Sequence, residues 1–289
     1  MTKVKIETLT STHVDSGNVL FHDNDFVRGA DLENNPILGI VDMRKAMNLI
    51  GERNIGAWVA MIDRGVPISD VIKRYAPRAN VLDYSCRTIH AGFEGNKRLD
   101  LREFIHDGLG RPYLPGSSIK GAIRTAILSA LANNMPSIGT WQTLEKNLFG
   151  KEPQSDIFRF IHVGDALFSE LEDMYAFLIV LLNERKSQDV LDCSKKQLVE
   201  VLGPKSKSSM DVEIDEKGFS LFRNNPDNSS FLKSMSSDVR QVLSGDIRHM
   251  FSLINSHTSR LVDEEIEIWE EKERYSSFGF RFMQSWRRL

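Results

Sequence analysis

The residues with the clearest chemical potential lie in one stretch, Tyr113-Leu114-Pro115-Gly116-Ser117-Ser118-Ile119-Lys120-Gly121-Ala122-Ile123-Arg124. Lys120 and Arg124 are four apart, which on a helix puts both cations on one face. Pro115 stops a helix from running back through it. Gly116 permits a turn, and Ser117 or Ser118 can cap the helix that follows. A helix start presents free amides and partial positive charge, so it attracts anions. Two serines, a glycine and two cations around such amides describe a phosphate cradle. The spacing is not that of a nucleotide-binding P-loop, which needs G-x-x-x-x-G-K-[ST]. The competing reading is a capped helix with two solvated cations.

Other candidates are scattered. Asp23, Asp25 and Asp31 lie close together in sequence, and paired acids can hold Mg²⁺, although aspartate also favours turns for its own hydrogen bonding. His13 invites an acid–base role, as histidine side chains in general do, but it has no partner nearby in sequence. Lys97 and Arg98 follow Phe93 in a glycine-containing loop, where stacking and charge together suit single-stranded RNA. Asp165 ends a strand, a place where turn or cap residues are common.

These residues need elements to position them. The apolar positions Ile119, Ala122, Ile123, Ala126, Ile127 and Leu131 form a helical stripe directed at a core. Residues 19–28 read as a hairpin, and residues 37–41 as a short buried strand. Asp42 caps a first helix, the start of a helical stretch over residues 43–76 in which Trp58 and the methionines read as packing residues. Residues 81–90 and 99–106 read as strands or extended segments flanking the loop. Residues 174–182 are apolar throughout, so periodicity does not separate strand from helix. Residues 198–202 and 210–214 read as strands, and residues 224–230 as a polar linker. Two further helices are read over 239–254 and 257–274, the second strongly acidic and therefore directed at solvent or a basic protein.

Bulk properties narrow the function classes. With 289 residues the chain can bury a large core. Its 37 basic and 40 acidic residues give a net charge of −3, so a globally basic nucleic-acid binder is excluded. A local patch remains open, because residues 86–125 carry seven basic and four acidic side chains (Arg87, Lys97, Arg98, Arg102, Arg111, Lys120, Arg124 against Glu94, Asp100, Glu103, Asp107). Cys86 and Cys193 lie outside any metal or redox spacing and fit two thiols in a reducing compartment. Nothing near Met1 reads as a signal peptide and no apolar run is long enough to cross a bilayer, so a cytoplasmic protein is expected.

The Tyr113–Arg124 stretch resembles the signature of the repeat-associated (RAMP) proteins of type III CRISPR effector complexes. Within that group the chain is most similar to the subunit of the type III-A (Csm) complex that caps the guide-RNA 3′ end. Thr10 to Gly17 is similar to the family's first-strand ending, with Ser11 where a proline is usual. Leu148-Phe149-Gly150 and Gly164-Asp165-Ala166 extend the likeness. The resemblance implies an α+β fold with a ferredoxin-like, RRM-like core, helical insertions and a helical C-terminal part. Its domains would be residues 1–165, with an insertion at about 43–76, and a degenerate second part over 166–289. The resemblance also implies a glycine-rich C-terminal strand, for which residues 278–282 are the stretch that could serve.

The implied function is a non-catalytic, CRISPR RNA-binding cap of the backbone filament that supports guide 3′ maturation and antiviral defence. Guide contacts would come from Gly116, Ser117, Ser118, Lys120 and Arg124, from Ser16 and Gly17, and from Lys97 and Arg98. The partners would be CRISPR RNA, the backbone and small subunits, target RNA and host nucleases, without cofactor, metal or membrane. One alternative is a metal-dependent target-RNA nuclease using Asp31 or Asp23. Others are a guide-processing ribonuclease using His13 or His90, and a protein-only adaptor.

Overall fold

The structure, a computed structural model, describes residues 1–92, 99–132, 140–168, 174–182 and 191–273. Strands β1 (Thr2–Glu7), β2 (Asp15–Leu20), β3 (Phe26–Ala30) and β4 (Pro36–Val41) precede three short helices, α1 (Met43–Ile50), α2 (Ile55–Ile62) and α3 (Ile68–Tyr75). Strands β5 (Ser85–Ala91), β6 (Leu101–Phe104) and β7 (Tyr113–Leu114) lead to α4 (Gly116–Ala132) and α5 (Trp141–Phe149). Next come β8 (Ile161–Val163), β9 (Ala166–Leu167), β10 (Met174–Leu182), β11 (Leu191–Leu202) and β12 (Lys207–Ile214). Four helices follow: α6 (Glu216–Asn224), α7 (Ser229–Ser234), α8 (Ser237–Leu243) and α9 (Ile247–Glu273). The class is α+β, as expected.

Two compact units interleave along the chain. One comprises Glu7–Tyr113 with Phe168–Lys207, and the other Met1–Ile6, Leu114–Leu167 and the described residues from Ser208. This differs from a division at Asp165, because each unit draws segments from both halves of the sequence.

The first unit holds a seven-stranded mixed sheet ordered β2-β6-β11-β10-β5-β4-β3. At its centre β10 and β11 form an antiparallel hairpin, with Met174 opposite Leu202 and Ala176 opposite Glu200. Each then pairs in parallel with an outer neighbour, β10 with β5 and β11 with β6. The ambiguous stretch 174–182 is thus a strand, with Phe177 opposite Val199 and Leu178 opposite Leu198. Residues 19–28 do not form the expected hairpin: β2 pairs with β6 and β3 with β4, at opposite edges of the sheet. Six residue steps reach at most about 22 Å, whereas six strand spacings in a flat sheet need about 29 Å. The sheet must therefore curl, and the turn at 21–25 closes the gap between its edges.

The helical insertion lies between β4 and β5, where the sequence places it. Asp42 caps α1 by accepting from the amides of Arg44 and Lys45. Ala46, Ile50, Trp58, Ile68, Val71 and Ile72 pack with Val27 and Tyr84 into one apolar cluster. Trp58 packs as expected. Met43 and Met47 do not; they are 42% and 37% exposed, because Ala46 and Ile50 take the inward face of α1. Residues 81–84 form a 3-10 turn instead of a strand, held by a reciprocal Asn80–Asp83 capping box.

In the second unit α4 packs on β8 of the sheet β1-β12-β8. Ile123, Ala126, Ile127, Leu128 and Leu131 are buried, while Ala122, expected in the stripe, is exposed. Residues 224–230, expected as a linker, carry the end of α6, a 3-10 turn and the start of α7. The two expected C-terminal helices are also divided elsewhere. Gly245 adopts φ 96° and Asp246 caps α9 by accepting from the His249 amide at 2.9 Å. From there α9 runs without a break from Ile247 to Glu273. Its acids Asp263, Glu264, Glu265, Glu267 and Glu270 are exposed. The loop with Lys97 and Arg98, and residues 278–282, lie outside the described residues.

Candidate nucleic-acid interface

The signature helix begins differently from its sequence reading. Helix α4 starts at Gly116, whose N–H donates to Asp165 Oδ1 at 2.7 Å, and not at a serine cap. The Pro115 carbonyl accepts from the Ser118 and Ile119 amides. Gly116 is buried, and a Cβ there would collide with the carbonyl oxygen of Val163 and the backbone of Gly164. This glycine serves close backbone approach. Asp165 supplies a carboxylate where the helix dipole favours negative charge, so the protein fills part of its own anion site.

The two signature cations have different fates. Arg124 Nε donates to Glu145 at 2.7 Å, and its Nη1 donates to both Asp156 oxygens at 3.0 Å. Its guanidinium also sits 4.8 Å from the Phe149 ring centre and 5.0 Å from that of Phe158. Arg124 therefore clamps α4 onto α5 and the 156–160 segment. Lys120 is half-buried, and burial pulls its pKa down, with Asp156 opposing and Arg124 adding to the effect. Ser117 and Ser118 beside it are exposed.

The local basic excess is largely cancelled by pairing. Arg87 is bound by Glu103 and Glu200, Arg102 by Asp15 at 2.8 Å, and Arg111 by Asp107 at 2.7 Å. Ser16 and Gly17 sit at a bulge of edge strand β2. Ser16 donates to Glu103 at 3.3 Å, whereas Gly17, with φ 84°, has open space before it.

The catalytic candidates do not converge. Asp31 accepts from the amides of Glu33 and Asn35 and from the Asn35 side chain, all within 2.9 Å. The Asn35 side chain, more than any other group, holds the Asp31 carboxyl below its usual range. Asp23 adopts φ 67° and faces His22 at 2.9 Å. His13 Nδ1 lies 2.7 Å from the Glu200 carbonyl oxygen and so must carry the proton. His90 lies against Tyr175, ring centres 5.3 Å apart.

A buried polar cluster escaped the sequence reading. Glu200 is 0% exposed on the inner face of β11. Its carboxylate accepts from both terminal nitrogens of Arg87 and from the Phe104 amide. Arg87 also donates to Glu103 at 3.0 Å, and His106 Nε2 lies 3.7 Å from Glu200. An acid between Val199 and Val201 in an apolar strand was the signal available. Among the described residues, Glu103, His106 and Glu200 are the set whose ligand atoms lie close enough for a metal, all within 4.8 Å. Arg87 already provides the positive charge there and occupies the carboxylate oxygens, so the cluster is complete as an ion pair.

Burial pushes the His106 pKa down, and Arg87 adds to this. For Glu103, burial acts upward but is outweighed by hydrogen bonds from Asn18 and Arg87, so its pKa also falls. In both cases the unfolded chain binds more protons than the native one as pH drops, so stability is lost on acidification. The urea midpoint is expected to fall as pH goes from about 7 to about 4, first near the histidine reference of about 6.5 and then near the glutamate reference of about 4.3. His106→Gln should flatten the first part of that curve only.

Residues 5–271 match the RAMP superfamily. The chain belongs to the RAMP superfamily. This RAMP chain is similar to the "CRISPR system Cms protein Csm5" of Methanocaldococcus jannaschii, 26% identical over 197 residues that cover 61% of this chain and 44% of that protein. A protein of the same name from Streptococcus thermophilus is 37% identical over 78 residues, 23% of this chain and 22% of that one. The matched stretches thus span less than half the length of either relative. The crystal structure of T. onnurineus Csm5 superposes with a TM-score of 0.70 at 19% identity, covering 97% of this RAMP chain and 86% of that one. A chain of a Csm-crRNA-target RNA ternary complex of a type III-A CRISPR-Cas system gives 0.67 at 20% identity, covering 92% and 77%. At these identities the two superpositions show a shared fold.

Proposed function

We propose that the chain is a non-catalytic, RNA-binding subunit of a type III-A CRISPR effector that caps the backbone filament at the guide's 3′ end. The observation that carries this reading is the RAMP match through residues 5–271, with the signature at the start of α4; the likeness to Csm5 proteins supports it. On this reading the core is ferredoxin-like and the partners are CRISPR RNA, the backbone and small subunits, and target RNA. Trimming of the guide falls to recruited nucleases. The exposed Ser117 and Ser118, with Lys120, form the guide contact on α4, and Gly17, where no side chain stands in the way, adds a point of close approach on β2. Such contacts grip phosphate without reading sequence, which suits a variable guide. Arg124 acts by holding α4 in place.

The test is a tagged pull-down from cells carrying the whole effector locus, with bound RNA sequenced. Lys120→Glu is expected to weaken guide binding and lower the salt slope by about one. Arg124→Ala is expected to lower the urea midpoint while leaving the salt slope unchanged. Full guide recovery and an unaltered slope with Lys120→Glu would remove α4 from the interface. The internal pairing of Arg87, Arg102, Arg111 and Arg124 favours one rival, a protein-only adaptor, and recovery of effector proteins without RNA would decide for it.

A further inference from the structure

A second candidate site lies in the unit with the seven-stranded sheet. There the 21–25 turn and β3 face α3 and the segment leading to β5, around a cavity of about 550 Å³. That volume suits a small organic ligand. The apolar floor comes from Val27, Ile72 and Tyr84, all buried members of the insertion's core cluster, so it is rigid. The Ile68 N–H donates to the Asp23 carbonyl at 2.9 Å and ties the turn to α3.

The walls are cationic. Arg28 of β3, Lys73 of α3 and Arg78 of the following segment all line the cavity. Lys73 is 75% exposed and only loosely paired, 3.8 Å from Asp70. Asp23, the acid in the lining, lies 2.9 Å from His22. Ser69 and Asn80 add neutral hydrogen-bonding groups. Two guanidinium forks and an ammonium recognise phosphate oxygens, but a lone phosphate would leave most of this volume empty. The floor suits a flat, weakly polar group attached to the anion.

We propose that this cavity binds one nucleotide, its phosphate held by Arg28, Lys73 and Arg78 and its base lying over Ile72 and Tyr84. A free nucleotide and the terminal nucleotide of an RNA strand share that chemistry. The proposal does not rest on the guide-capping reading, since free-nucleotide binding would stand without it.

The test is calorimetric titration of the purified full chain with AMP and with UMP, then with an eight-nucleotide RNA ending in a 3′-phosphate. Lys73→Glu with Arg78→Glu changes exposed positions and should preserve the fold, which a thermal melt checks. Arg28→Gln is a second variant. At least a tenfold loss of mononucleotide affinity in the double variant is expected. If the RNA displaces the mononucleotide, the ligand is a strand end; if it does not, the ligand is free nucleotide, and either result upholds the site. Absence of mononucleotide binding, or binding that both variants leave unchanged, overturns it. Neither overturning result touches the guide-capping reading, which Lys120→Glu judges separately.

Discussion

Glu200→Ala is expected to destabilise the protein by about 3–5 kcal/mol, the usual cost of breaking a buried ion pair by removing one partner. The Glu200 carboxylate is wholly buried and accepts from Arg87 twice and from the Phe104 amide. Its loss leaves the Arg87 guanidinium, whose side chain is only 10% exposed, with Glu103 alone. It also strands a buried amide, which costs about 1–3 kcal/mol more if no water reaches it. The double variant Arg87→Met, Glu200→Leu should recover most of the loss, because a buried pair replaced by apolar side chains of similar volume is often near neutral. Urea unfolding of the three proteins is the measurement. A cost below about 1 kcal/mol for Glu200→Ala would mean that Arg87 finds other partners and that the cluster is not coupled in this way.

Two glycines of the signature are expected to respond with opposite signs. A Cβ on Gly116 would run into the Val163 carbonyl and the Gly164 backbone, with no flexible side chain to yield. Either α4 or the turn between β8 and β9 must move, and the Gly116–Asp165 hydrogen bond loosens with it. Gly116→Ala is therefore expected to cost about 3 kcal/mol, the upper end of ordinary overpacking. Gly121 lies inside the same helix, exposed, with nothing near its Cβ direction. Gly121→Ala should stabilise by about 0.5–1 kcal/mol through helix propensity alone. Urea and thermal unfolding check both. Equal effects at the two positions would refute the packing role assigned to Gly116.

Features with local causes were legible in the sequence. The cap at Asp42 and the helical character of residues 43–76 each follow from a few consecutive residues. The helix start near Pro115-Gly116 was placed within a residue or two. Its chemistry was not, because Asp165, the group that satisfies the Gly116 amide, is 49 residues further along. The hairpin at 19–28 failed for a similar reason: a turn between two apolar runs does not reveal that each strand has a better partner elsewhere in the sheet. The break at Gly245 was overlooked because the apolar stripe continues across it.

By itself the sequence determined the α+β class and, through one contiguous motif, the family. Backbone preferences act within a few residues, so those signals survive without tertiary information. Only the tertiary structure decided which charges are spoken for. Lys120 and Arg124 look alike in sequence, yet Arg124 is drawn into the fold by an acid 32 residues away, while Arg87 meets one 113 residues away on a strand two places across the sheet. Electrostatic pairing depends on distance in space, and strand order sets that distance.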